Sequence, residues 1–208
     1  MYFIKQVVAA TVFVFSIQTT LVAGQSASLI QSYLKSEKKI AHKISPYVDS
    51  LDYNLEPEKW APVFRKVVST TEALNRAVKI AERRFSDKLP KFDEDDAKDI
   101  EREFLAFADE AVDVLATFTK KSRPAAADNK EIFQKAATPF NNFKRTLKSY
   151  LGKLLDTIPS ASDSVIVSMQ LLQDSVDGLV LIFEGTVNAE DSIVVTSHGA
   201  GSVKIIIE

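Results

Sequence analysis

Past residue 24 the hydrophobic positions recur every three or four residues through most of the chain, the spacing that lines one face of an α-helix. The first such run begins at Ser28 and carries Ile30, Tyr33, Leu34, Ile40, Ala41, Ile44, Val48 and Leu51. Glu37 interrupts it, an acid on an otherwise apolar stripe. Ser45-Pro46 falls inside the run. Proline removes a backbone donor, so the pattern predicts one kinked helix or a restart capped by Ser45.

A second run starts between Pro57 and Pro62 and continues through Trp60, Phe64, Val67, Leu74, Val78, Ala81 and Phe85 toward Leu89, where Pro90 stops it. The acids Asp93, Glu94, Asp95 and Asp96 then load the start of a third helix, where the helix dipole favours negative charge. Its apolar face is Ile100, Phe104, Phe107, Ala111, Leu115 and Phe118, and Lys120, Lys121 and Arg123 complement its end before Pro124. Asp128 and Glu131 have capping-box spacing ahead of a fourth run from Ile132 to Ile158, with a kink expected at Thr138-Pro139. Ser160 to Asp163 opens a fifth run through Val165, Met169, Leu172, Val176, Leu179 and Phe183, closed by Gly185. About five amphipathic helices on short loops predict an all-α antiparallel bundle.

Both ends break the pattern. Met1 to Lys5 with one positive charge, the apolar run Val7 to Ile17, and the small residues Val22-Ala23-Gly24 read as a secretory signal peptide over residues 1–24. The run is shorter than the roughly 20 apolar residues of a membrane span, so no transmembrane segment is expected in the mature chain. The helical domain is expected over 25–185. Residues 186–208 hold the β-branched runs Ile193-Val194-Val195 and Val203 to Ile207, which predict a short hairpin or an extended tail. A hydrophobic stretch of GPI-anchor type is missing from this tail.

Composition narrows the chemistry. The 208 residues include no Cys, which removes thiol chemistry and cysteine metal sites. With 26 basic against 28 acidic side chains there is no basic excess to track phosphates, so nucleic acid is not an expected partner. The two histidines, His42 and His198, lack metal-ligand spacing, and His42 reads as a solvated helix residue. Six scattered glycines form no nucleotide-binding loop. No nucleophile, base and orienter set stands out. We therefore expect a secreted non-enzymatic protein without cofactor or metal.

What remains is aromatic and apolar. Ten Phe follow residue 24, most at inward-facing helical positions. Core packing accounts for such stripes, and the space between bundle helices is also where an apolar ligand fits. The candidate lining is Phe104, Phe107 and Leu115 of the third helix, Phe140, Phe143 and Leu147 of the fourth, and Leu172, Val176, Leu179 and Phe183 of the fifth. Lys120, Lys121 and Arg123 are the candidates for holding a ligand carboxylate.

Two stretches carry a family resemblance: Val114 to Pro124 (VLATFTKKSRP) and Leu151 to Pro159 (LGKLLDTIP), set in a cysteine-free helical domain after a signal peptide. The chain resembles the fungal hydrophobic surface-binding protein and cell-wall galactomannoprotein family up to about Gly185. The resemblance implies an extracellular protein of the cell wall that adsorbs to hydrophobic surfaces or holds a fatty acid inside a helical bundle. The alternative expectation is a secreted interaction module that binds a host or cell-wall protein, pairing through the Val203 to Ile207 strand.

Overall fold

The computed structural model describes residues 27–85, 92–158, 161–185, 193–198 and 202–207. The expected signal peptide lies outside them. Five helices form a bundle: α1 (27–49), α2 (Pro57–Arg84), α3 (Glu94–Ala126), α4 (Lys130–Thr157) and α5 (Asp163–Glu184). The tail is an antiparallel hairpin of β1 (Ile193–His198) and β2 (Ser202–Ile207), with Ile193 opposite Ile207 and His198 opposite Ser202.

The periodic runs become the helices because each buries its stripe. In α2 the buried positions Trp60, Phe64, Val67, Thr71, Leu74, Val78 and Ala81 alternate steps of four and three. Thr71 tolerates burial because its hydroxyl donates to Val67 O at 3.0 Å. Asp93 caps α3, accepting from Asp96 N at 2.9 Å, as the acidic run predicts. Ser162 caps α5, and Gly185 closes it at φ 71°, the left-handed conformation that glycine adopts at least cost.

Two local expectations fail, the end of α3 before Pro124 and the Asp128–Glu131 capping box, and of the two forms the first run allowed the single helix is the one found. Helix α1 is continuous through Pro46, and Ser45 is no cap; its hydroxyl donates to Asp49 Oδ2 at 3.3 Å. Helix α3 runs past Pro124 to Ala126, and α4 runs through Pro139. A helical proline leaves only the carbonyl four residues earlier without its donor, a loss that packing against neighbouring helices offsets. The Asp128–Glu131 capping box does not form. Asn129 occupies the cap position and donates its side-chain amide to Ala125 O, while Glu131 pairs with Lys135 at 2.7 Å. Helix α2 ends at Arg84, and Leu89 lies outside the described residues.

Consecutive helices alternate in direction, so helices two apart run parallel, and these pairs pack closely. Lys35 meets Glu103 at 3.5 Å and, one heptad on, His42 meets Glu110 at 2.9 Å, which sets α1 alongside α3. Trp60 faces Phe133 near the start of α2 and Phe85 faces Tyr150 at its end, which sets α2 alongside α4. Helix α5 packs parallel to α3 and antiparallel to α4, where Lys144 pairs with Asp177 at 3.1 Å. It is long and apolar enough to cross a membrane by composition, with a mean hydropathy of 1.5, and half of that stretch is buried in the bundle. A helix flanked by α3 and α4 needs that apolarity for its core position.

Candidate functional site

The ten apolar residues expected to line a site are all core residues, none more than 3 % exposed. Phe140 and Phe183 touch at 5.2 Å between ring centroids, and Phe104 and Phe107 at 6.4 Å. Leu147 and Val176 additionally reach an α4–α5 cleft of about 230 Å³. At these ten positions the interior is filled by side chains, and the cavities among the described residues open at the seams between helices.

One such space separates α3 from α5. A cavity of about 300 Å³ is lined by Ala116, Thr119, Lys120, Arg123, Asp174, Ser175 and Gly178. Lys120 and Arg123 reach it because they lie three residues apart, on one face of α3. The hydroxyls of Thr119 and Ser175 donate back to Leu115 O at 2.7 Å and Leu171 O at 2.8 Å, leaving their oxygen lone pairs free to accept. Gly178 leaves the wall open: a Cβ there would have no atom within 4 Å. Glycine inside a helix costs roughly 0.5–1 kcal/mol relative to alanine, and what its absent side chain leaves here is room.

The cavity has an unbalanced set of charges. Arg123 Nε is shielded from water and has no hydrogen-bond partner among the described residues. Among the described residues neither Arg123 nor Lys120 forms an ion pair, in contrast to the paired Lys98, Lys135 and Lys144. Across the cavity, burial pushes the Asp174 carboxyl above the usual range; a hydrogen bond from Gln170 opposes this and neighbouring Asp177 adds to it. An anion placed here would meet the cationic Arg123 and Lys120, opposed by the Asp174 carboxyl across the cavity.

Lys121 is the one candidate that points elsewhere. Its ammonium donates to Asp49 O at 2.6 Å and Leu51 O at 3.1 Å, tying the C-terminal end of α1 to α3. A cation is favoured at that end by the helix dipole.

A second space lies between α2 and α4. This groove of about 400 Å³ is lined mainly by Ala61, Phe64, Val68, Ile132 and Ala136, with Arg65, Glu72 and Lys135 at its polar edge. Phe64 connects it to the core, its ring lying 5.8 Å from Phe118, 4.9 Å from Phe133 and 5.9 Å from Phe183. Sequence reasoning placed Phe64 and Ile132 on apolar faces but gave no sign that the α2–α4 seam stays open. It also missed Tyr53, outside every periodic run, which packs edge-on against Trp60 at 4.8 Å and hydrogen-bonds Ser122 at 3.0 Å.

The acid that interrupts the first stripe is fully buried. Glu37 Oε2 accepts from the Tyr150 hydroxyl at 3.1 Å, while Oε1 has no partner among the described residues. Burial raises its carboxyl to about 8, against a smaller opposing effect of the Tyr150 hydrogen bond, so the group is mostly protonated at neutral pH.

No family model and no curated protein matches this chain. Among solved structures, the chain is similar in fold to AfMp4p in complex with palmitic acid, at 16 % identity and a TM-score of 0.51, over 76 % of this chain and 99 % of that one. The likeness extends to almost all of the neighbour and is one of fold.

Proposed function

We propose that this protein is a secreted, non-enzymatic lipid-binding protein of the fungal cell wall or extracellular space, and that it holds a fatty acid by its carboxylate at the α3–α5 cavity. The carrying observation is Arg123, which lines the cavity with Lys120 and Gly178 and whose buried Nε has no hydrogen-bond partner among the described residues. A carboxylate is the complementary group, because charge-assisted hydrogen bonds to a guanidinium are about twice as strong as neutral ones. Leu115 and Leu179, both buried, adjoin the cavity residues Ala116 and Gly178 in sequence, and an acyl chain gains roughly 0.8 kcal/mol per methylene it buries against apolar side chains. A fold like that of a protein solved with palmitic acid supports the same ligand class.

The test is calorimetric titration of the delipidated protein with palmitic acid, beside the double variant Lys120→Glu, Arg123→Glu. Saturable binding that the charge reversal abolishes is the expected result. Equal affinity in both proteins would remove the carboxylate from this cavity.

A further inference from the structure

Helix α1 is held differently from the other four. Its buried positions Ala27, Ile30, Leu34, Ala41, Ile44 and Val48 are all aliphatic, and Glu37 occupies the middle of that stripe. Ring contacts join α2, α3, α4 and α5 through Phe64, Phe118, Phe133, Phe140 and Phe183, and among the described residues no ring pair includes a residue of α1. The ion pairs of α1 with α3 lie on its exposed side, Lys35 with Glu103 and His42 with Glu110, and the second is an ion pair only while the imidazole is protonated. The two ends differ as well. Lys121 clamps the C-terminal one by donating to Asp49 O and Leu51 O. Between the ends, the inward polar group is Glu37, with Tyr150 on one oxygen and no partner for the other among the described residues.

We propose that α1 is a hinged cover, clamped at Asp49 and Leu51 and released along the rest of its length when Glu37 ionises. A protonated carboxyl can stay in the core, whereas a carboxylate there would keep one hydrogen bond, an orphaned oxygen and no cation. The charged groups of the neighbouring helices are engaged elsewhere. Glu103 and Glu110 of α3 hold Lys35 and His42, Glu82 of α2 is paired with Lys153 of α4, and Lys66 of α2 lies over the Tyr47 ring. Burial, opposed by the Tyr150 hydrogen bond, therefore sets the Glu37 carboxyl at about 8, with no charged neighbour contributing. Swinging α1 outward returns the carboxylate to water and bares Tyr150, while α2 to α5 keep their ring contacts. Unfolding the whole chain would break those contacts too, so opening α1 alone is the lower-energy escape. The carboxyl titrates at 4.5 ordinarily, so opening is favoured increasingly as pH rises from there to about 8 and levels off above.

The chain has no Cys, so a single introduced thiol reports the opening. Ala41→Cys places it on the buried side of α1, and Val180→Cys places a control on the buried side of α5. After melting curves show that both fold, each is labelled with iodoacetamide at pH 6 and pH 8.5, and each rate is divided by that of glutathione at the same pH. The α1 thiol should gain on the order of fifty-fold between the two pH values and stay far more reactive than the α5 thiol at pH 8.5. Adding Glu37→Gln to Ala41→Cys should remove most of the gain. Equal reactivity of the two thiols at pH 8.5 would mean that the whole bundle opens, and would overturn the cover. A flat α1 rate, or an undiminished gain in the Glu37→Gln background, would overturn it as well, and the comparison of the two thiols stands even if that double variant does not fold.

Discussion

The Tyr150 hydroxyl on α4 donates to Glu37 Oε2 on α1 at 3.1 Å, joining two fully buried polar side chains 113 residues apart. The phenol sits against the Phe85 ring at 5.4 Å, and burial pushes Tyr150 well above its ordinary range, with the nearby Glu37 adding to the shift. The pair therefore stays uncharged at neutral pH, and α1 docks on α4 through a neutral hydrogen bond.

This arrangement makes stability depend on pH. The Glu37 carboxyl titrates at about 8 in the folded protein against 4.5 ordinarily, so the folded state holds the proton more tightly. Its contribution is fully present below pH 4.5, is lost as pH rises toward about 8, and is constant above that, a swing on the order of a few kcal/mol. Urea unfolding at pH 5 and at pH 8 should show wild type weaker at pH 8. Glu37→Gln, which keeps an acceptor for Tyr150 and cannot ionise, should lose most of that difference. A variant with the wild-type slope would assign the pH dependence to other groups.

The three neighbouring cations should separate by function. Lys121 holds two carbonyls at the end of α1, so Lys121→Ala should cost about 1–2 kcal/mol of stability and leave palmitic acid affinity unchanged. Lys120→Ala should stay within about 0.5 kcal/mol in stability, as an exposed side chain, and weaken binding. Paired denaturation and titration experiments on both variants check this.

Gly178 offers a cleaner separation still. An added Cβ meets nothing within 4 Å, so Gly178→Ala should raise stability by about 0.5–1 kcal/mol through helix propensity alone. Gly178→Leu should fold and fill the cavity, reducing palmitic acid affinity measured by calorimetry. Wild-type affinity in the leucine variant would place the ligand elsewhere.

Phe183 touches Phe64, Phe118, Phe133 and Phe140 with centroids 5.2–5.9 Å away, four ring contacts inside the core. Phe183→Ala should cost about 3–5 kcal/mol, seen as a lower urea midpoint.

The sequence makes the helices legible because each amphipathic stripe has one solution, burial against other stripes. Asp93 and Gly185 mark their ends through cap chemistry that is local, and the structure keeps both. Pro124 misleads as a stop because tertiary packing offsets one missing hydrogen bond, while at Pro46 spacing left one helix or two open and packing decides for one. Which helices lie side by side is not a local property, so the close pairing of α2 with α4 and α3 with α5 has no signature in spacing. The same limit applies to the site. Lys120 and Arg123 are findable as cations at a helix end, but Lys121 next to them is drawn away by α1, and the groove over Phe64 exists only because α2 and α4 meet there. Glu37 was visible as an anomaly on its stripe, and its partner Tyr150 was not.

The most direct test of the central claim is the melting temperature of the delipidated protein with and without palmitic acid. Ligand at about 100 times its dissociation constant adds roughly 2.7 kcal/mol, a rise of roughly 5–10 °C for a domain of this size. A saturable rise of that order, absent in the Lys120→Glu, Arg123→Glu variant, is the predicted result. A cooperative melt that palmitic acid leaves unmoved would contradict the account.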